Sequence, residues 1–299
     1  MDIKELYKHY GELGYDVYLY SGDINAQVDS LRCKIIAKEN KKENVILFLT
    51  TPGGDADWAY RLVSVLKSHY KYFVLAIPSY CKSAGTLIAL GADELRFHKQ
   101  GELGPLDIQI RRKDSLVGQN SSGLDIFNAL SATNQAAFEC FQNIFINLIA
   151  SSNGGITTET AAHIATDLSS KIYSAIASKI DPLDLGERNR IMNIASKYAN
   201  IFRVSFNCNN VKPLTVEELV SNYPSHGFVI DFQQAQDLFN TVKPMDKCDI
   251  MVCNNFSFLS SPQREAVICD IEEYIPSIDK KIDGDEKVNS NNCEGQNNE

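Results

Sequence analysis

Several large functional classes are excluded by what the chain does not contain. It has no block of lysine or arginine, and 29 basic residues face 38 acidic ones for a formal charge of −9. Without a basic surface there is no counterion release, which supplies most nucleic-acid affinity, so phosphate backbones are poor partners. No apolar run reaches the roughly 20 residues that a bilayer helix needs. The longest candidate, from Ile126 to Ala150, is broken by Asn128, Asn134, Gln135, Glu139, Gln142, Asn143 and Asn147. The start, MDIKELYKHYGELGYD, has no basic cluster followed by an apolar stretch, so no secretory signal is expected and the expected compartment is the cytoplasm. Eight cysteines occur, at 33, 81, 140, 208, 248, 253, 269 and 293, without a CxxC pair. They read as reduced thiols rather than a disulfide framework or a zinc site. HExxH and HxxxH patterns are equally missing, and no metal or other cofactor is expected.

What is present suits a packed protein. Of 299 residues, 44% are hydrophobic and 22% charged, enough for a full core. That length favours one large domain with appendages over two equal ones. The runs DVYLYSG, NVILFLT, FVLAIPS and DELRFH, between Asp16 and His98, read as strands. Helical patterns around 25–39, 56–69 and 84–92 separate them. Strand and helix alternating at this spacing imply βαβ crossovers and a mostly parallel sheet covered on both faces. Chemistry in such sheets gathers at the carboxyl ends of the strands.

Beyond Asp107 the reading turns helical. Ile126, Phe127, Leu130, Phe138, Phe141, Ile144, Phe145 and Leu148 keep helical spacing and mark one long amphipathic helix, for burial against the sheet or a sister subunit. Further helices are expected near 157–168 and 187–204, then a short strand and helix, GFVID and FQQAQDLF, over 227–239. From Asp279 the chain carries six acids, three lysines and no aromatic residue, and reads as a disordered acidic tail.

Two segments at strand ends could carry chemistry. Thr50-Thr51-Pro52-Gly53-Gly54-Asp55 follows NVILFLT, and its glycines allow close backbone approach and free amides. It lacks the Gly-Lys-Ser/Thr of a phosphate loop and is also compatible with a plain tight turn. Tyr80-Cys81-Lys82-Ser83-Ala84-Gly85-Thr86 follows FVLAIPS and opens a helix. A serine there suits an acyl-transfer nucleophile beside unpaired amides, and it equally suits a helix N-cap. Trp58 and Tyr60 could line a groove or simply pack their helix. His9, His69, His98 and His163 read as surface or helix-end residues.

Taken in order, the Pro-Gly-Gly turn, Lys82-Ser83-Ala84-Gly85-Thr86, Leu87-Ile88-Ala89-Leu90-Gly91-Ala92-Asp93-Glu94, Glu102-Leu103-Gly104-Pro105-Leu106-Asp107 and Tyr223-Pro224-Ser225-His226-Gly227-Phe228 form one set. It resembles the serine peptidases related to the Clp protease proteolytic subunit and signal peptide peptidase A, in their serine dehydrogenase proteinase branch. The likeness covers about residues 15 to 245 and implies an α/β ClpP/crotonase-like fold: a mostly parallel sheet of repeated βαβ units and a helical C-terminal half. It divides the chain into a peptidase domain over 1–245, an extension over 246–278 and the tail over 279–299.

The resemblance implies a serine endopeptidase acting through an acyl-enzyme on Ser83, with the amides of Gly54 and Ala84 as oxyanion hole and Gly53 shaping the turn. It puts Asp107 where the better-known Clp relatives carry histidine, and His226 near their aspartate, which suggests a rearranged Ser83, His226 and Asp107 triad. A serine and lysine dyad is the other reading, with Lys171 or Lys179 as base and Lys82 pointing away from the serine. Expected partners are a peptide or protein substrate, sister subunits in a homo-oligomer and, where substrates need unfolding, a separate ATPase. A crotonase-like enzyme acting on acyl-CoA and a non-catalytic scaffold of the same fold are the rival functions.

Overall fold

The computed structural model describes residues 2–106, 123–178, 182–206, 208–221, 223, 225 and 227–272. They divide into two units, one formed by the described residues within 2–106, 194–223 and 227–272, the other by those within 123–193 together with 225.

The first unit is built on a sheet of six strands. β1 (Tyr15–Ser21), β2 (Asn44–Thr50), β3 (Tyr72–Ile77) and β5 (Glu94–Phe97) run parallel. The short β4 (Tyr80–Cys81) and β6 (Glu102–Leu103) form a separate pair. Late in the chain, β7 (Val242–Pro244) joins β5 in parallel and β8 (Val267–Asp270) joins β1 antiparallel, giving the order β7-β5-β3-β2-β1-β8. From their second residue onward, every residue of β1, β2 and β3 is buried. Continuous burial follows from layers on both faces, and this is why those sequences show apolar runs instead of alternation.

Helices α2 (Val28–Ala37), α3 (Ala56–His69) and α4 (Ala84–Leu90) are the crossovers between these strands. One sheet face aligns Val17 with Ile46 and Val74, and Leu19 with Phe48 and Ala76. It is covered by Leu6 and Tyr10 of α1 (Ile3–Glu12), by Val252 of α10 (Lys247–Asn255) and by Phe256, Leu259 and Ile271. Residues 247–271 are therefore part of the core layer. Two buried polar networks fasten this layer. Lys38 reaches Asp270 at 2.9 Å, Glu272 at 2.6 Å and Asp16 at 3.6 Å, tying β8 to α2 and β1. Burial opposes its charge, but the Glu272 and Asp270 carboxylates hold the ammonium above its usual range. At the other edge, Tyr10 donates to Asp249 at 2.6 Å, and Arg96 joins Asp249 to Glu94, which also accepts from Lys243.

In the second unit α5 (Gly123–Ser151) and α6 (Thr158–Ala177) form a hairpin in which Tyr173 donates to Asn134 at 2.8 Å. Phe138, Ile146, Ile164, Leu168 and Ile172 are exposed on it. α7 (Pro182–Ser205) runs from this unit into the first, followed there by α8 (Thr215–Ser221) and α9 (Phe232–Leu238). The helical reading of this stretch and the mostly parallel sheet match the sequence expectations. The strand expected from GFVID reduces to a single bridge between Ile230 and Leu103, because its partner β6 is only two residues long. Helix α1 and strands β7 and β8 were not foreseen.

Candidate active site

Parallel bridges tie the carboxyl ends of the strands into a ledge: Ile24 with Gly54, Thr51 with Cys81, β4 with β6. An antiparallel bridge from Leu103 to Ile230 extends it. The Pro-Gly-Gly turn and the serine turn meet here. Gly53 has φ +120° and Gly54 φ +145°, conformations that suit glycine. A Cβ on Gly53 would lie 2.8 Å from Ser83 Cβ and 3.3 Å from its Oγ, so the absent side chain is what lets the two turns touch.

Ser83 occupies the N-cap position of α4 but makes no capping hydrogen bond, and its backbone sits at φ +51°, ψ −110°. A positive φ is uncommon for serine and costs of order 1 to 3 kcal/mol, sustained only where the surroundings fix it. Its hydroxyl is thus withheld from the role that would explain it most simply. Ser83 is buried to 4% exposure, whereas Gly54 is open to solvent.

The amides sort into engaged and unengaged. Gly53 donates to Thr51 Oγ1 at 3.1 Å, and the bridge to Ile24 uses the Gly53 carbonyl and the Asp55 amide. Among the described residues the amides of Gly54 and Ala84 have no acceptor. An Ala84 amide at a helix N-terminus is one of the donors that the helix leaves unused, and the helix dipole favours negative charge there.

Supporting contacts explain the residues around the serine. A Cβ on Gly85 would come within 2.6 Å of Thr51 Cγ2 and 2.8 Å of Cys81 Sγ, so only glycine lets α4 start against the ledge. Thr86 Oγ1 donates to the Gly104 carbonyl at 2.7 Å and accepts from the Gly104 amide at 3.2 Å, which fixes the Glu102-Leu103-Gly104 stretch beside the helix. The Cys81 thiol is fully enclosed, and burial pushes its titration up, so it is no rival nucleophile. Lys82 pairs with Glu102 at 2.9 Å and donates to the Phe228 carbonyl at 3.1 Å.

A ClpP-like SDH-type serine proteinase family model matches residues 7–174, more than half of the chain. The chain belongs to this family. An uncharacterized protein of Methanocaldococcus jannaschii is 42% identical over 64 residues, 21% of this chain and 22% of that protein. The chain thus spans under a quarter of the curated relatives it matches. Among solved structures it is similar to a mutant of a membrane-bound stomatin-specific protease, with 22% identity over 50% of this chain and 67% of that one, TM-score 0.32. A ClpP variant of Listeria monocytogenes shares 14% identity over 53% of this chain and 82% of its own, TM-score 0.28.

In this member of the family, Ser83, Ala84, Gly53 and Gly54 come together in one place. His226, Asp107 and Lys179 lie outside the described residues. Lys171 is exposed on α6, with Nζ 2.6 Å from Asp167. Tyr60, weighed as a groove residue, stacks on Tyr198 at 4.5 Å, and Trp58 lies under Arg61 at 4.6 Å. Among the described residues no three His, Cys, Asp or Glu side chains gather as metal ligands would. Nor is any described helix long and apolar enough to cross a membrane. The parts that sequence reasoning missed are the Lys82 and Glu102 pair and the Thr86 clamp, since nothing in their spacing distinguishes them from solvated residues.

Proposed function

We propose that the chain is a serine endopeptidase that cleaves peptide bonds through an acyl-enzyme on Ser83. The observation that carries this reading is the uncapped, strained serine pressed against Gly53, with the unengaged amides of Gly54 and Ala84 in the same two turns. In this scheme a base takes the Oγ proton as Oγ bonds to the scissile carbonyl carbon, and the two amides stabilise the oxyanion. Losing one such donor typically costs about 2.7 to 4 kcal/mol of barrier. The base then returns its proton to the departing amine, and water, activated by the same base, releases the acyl group and restores the serine.

His226 is the proposed base and Asp107 the carboxylate that orients it, because imidazole carries protons near neutrality. Lys171 fits the base role poorly, because its ammonium is already paired with the Asp167 carboxylate at 2.6 Å. Lys179 remains the lysine alternative. The exposed apolar residues of α5 and α6 are the proposed contact between subunits of a homo-oligomer, and the cytoplasm is the proposed compartment.

A fluorophosphonate probe tests the reading, since it phosphonylates activated serines. The wild-type chain should be labelled between about pH 6 and 9, the span in which imidazole or a depressed lysine acts, and Ser83→Ala should take no label while melting normally. A wild-type chain that resists the probe throughout that span overturns the peptidase proposal in favour of a non-catalytic or acyl-CoA role.

A further inference from the structure

Lys82 is engaged along its whole length. Its backbone amide donates to the Thr51 carbonyl at 3.0 Å, and its own carbonyl accepts from Gly85 at 2.8 Å. Its stem passes over Gly104, where a Cβ would lie 2.6 Å from Lys82 Cδ. Its ammonium reaches Glu102 and the Phe228 carbonyl, and the Lys82 and Glu102 side chains are only 11% and 18% exposed. The glycine turn and the serine turn therefore meet its backbone, while β6 and the segment 227–230 meet its side chain.

We propose that Lys82 is a positioning residue, whose ammonium, fixed by Glu102 and the Phe228 carbonyl, holds Ser83 in its strained conformation and ties the serine turn to segment 227–230. The inference rests on the peptidase reading of Ser83. Two arguments support it. First, a strained φ survives only where both flanks are fixed. On one side of Ser83 helix α4 does this, through Leu87 donating to the Ser83 carbonyl at 3.0 Å. On the other side stands Lys82. A nearly buried ammonium needs its N–H donors satisfied, so Glu102 and the Phe228 carbonyl select one path for the stem and with it one setting of the turn.

Second, among the described residues segment 227–230 has few other hydrogen bonds, beside the Phe228 ring against Tyr223 at 4.9 Å. Leu103 and Ile230 exchange backbone hydrogen bonds of 2.9 and 3.0 Å, while Val229 is exposed. The Lys82 bond to Phe228 adds a second anchor, two residues beyond His226 in the sequence. Lys82 thus acts through Ser83 and this segment.

The test compares Lys82→Met, Glu102→Gln and the double variant by fluorophosphonate labelling across pH and by amide hydrogen exchange. With the tie lost, Lys82→Met should label about 100-fold more slowly, the scale expected for a misplacement near 1 Å, with the shape of its pH profile kept. The Ile230 amide should exchange about 10-fold faster or more while β2 amides keep their protection. The double variant should stay as slow as Lys82→Met, because the bond to Phe228 is still missing. If Lys82→Met does not fold, Glu102→Gln carries the test, with the same shifts at smaller amplitude. Three results overturn the proposal: wild-type labelling and exchange in Lys82→Met, loss of a limb of the pH profile, which would make Lys82 the base, or recovery in the double variant, which would trace the defect to an unpaired Glu102. A wild-type chain that takes no label defeats the peptidase reading instead, and Ile230 exchange then decides the tie by itself.

Discussion

Gly53→Ala probes the contact on which the active-site reading turns. The new methyl would stand 2.8 Å from Ser83 Cβ, 3.1 Å from the Lys82 carbonyl oxygen and 3.3 Å from Ser83 Oγ. Carbon atoms pack best at about 3.5 to 4.0 Å, so the two turns must separate by about 0.7 to 1.2 Å. The φ of +120° at this position adds a further cost of order 1 to 3 kcal/mol for alanine. Stability should fall by a few degrees in melting temperature, at about 2 to 4 °C per kcal/mol for a chain of this class. The rate of fluorophosphonate labelling should fall further, by about 100-fold, because displacement on the 1 Å scale breaks the alignment of hydroxyl and oxyanion donors. Gly91→Ala is the control. There a Cβ would lie 2.4 Å from Val63 Cγ1, a comparable clash at the far end of α4, and it should lower the melting temperature while leaving labelling per folded molecule unchanged. Labelling of Gly53→Ala at the wild-type rate, or an equal loss in Gly91→Ala, would refute the reasoning.

Three other substitutions test the frame around the site. Lys38→Met leaves the buried Asp16 and Asp270 carboxylates without their cation, and urea unfolding should show a loss of about 3 to 5 kcal/mol. An unchanged midpoint would mean that β8 is held by its backbone bonds alone. Gly85→Ala overpacks Thr51 and Cys81 and should cost about 1 to 3 kcal/mol by calorimetry. Burial alone would raise the Glu94 carboxyl, yet hydrogen bonds from Lys243 and Arg96 hold it below its ordinary value. A lowered carboxylate stabilises the fold above its unfolded pKa, about 4.3, and this contribution is lost as pH falls through the folded value. Glu94→Gln should therefore flatten the acid side of the stability curve in urea titrations, and identical slopes for both proteins would contradict the assignment.

The central sheet was legible because its strands are buried on both faces and so announce themselves as apolar runs. β2 is found at Asn44–Thr50, the stretch expected from NVILFLT. β7 and β8 were hidden for the opposite reason: Val-Lys-Pro is three residues long and largely exposed, and Val-Ile-Cys-Asp is buried only at its end. α1 carries a readable signal in Asp2 and Glu5, which form a capping box. At the site, the sequence motifs pointed to Ser83 and the glycines, while the meeting of two turns thirty residues apart is a tertiary fact. The ambiguity between nucleophile and helix cap was real in the sequence. The positive φ and missing cap bond of Ser83 lie in the backbone, where no residue identity records them.

Both outer strands of the sheet come from the last sixty residues, and the links that lock them span most of the chain: Tyr10 to Asp249, Ser21 to Ser261, Thr50 to Leu259. During synthesis the early strands must leave the ribosome with bare edges and wait for residues 242–272 before the layer over Leu19 and Phe48 can close. Closure over such separations is entropically slow. The interval in which an exposed edge can recruit a neighbouring chain is therefore set by the time needed to translate the helices between.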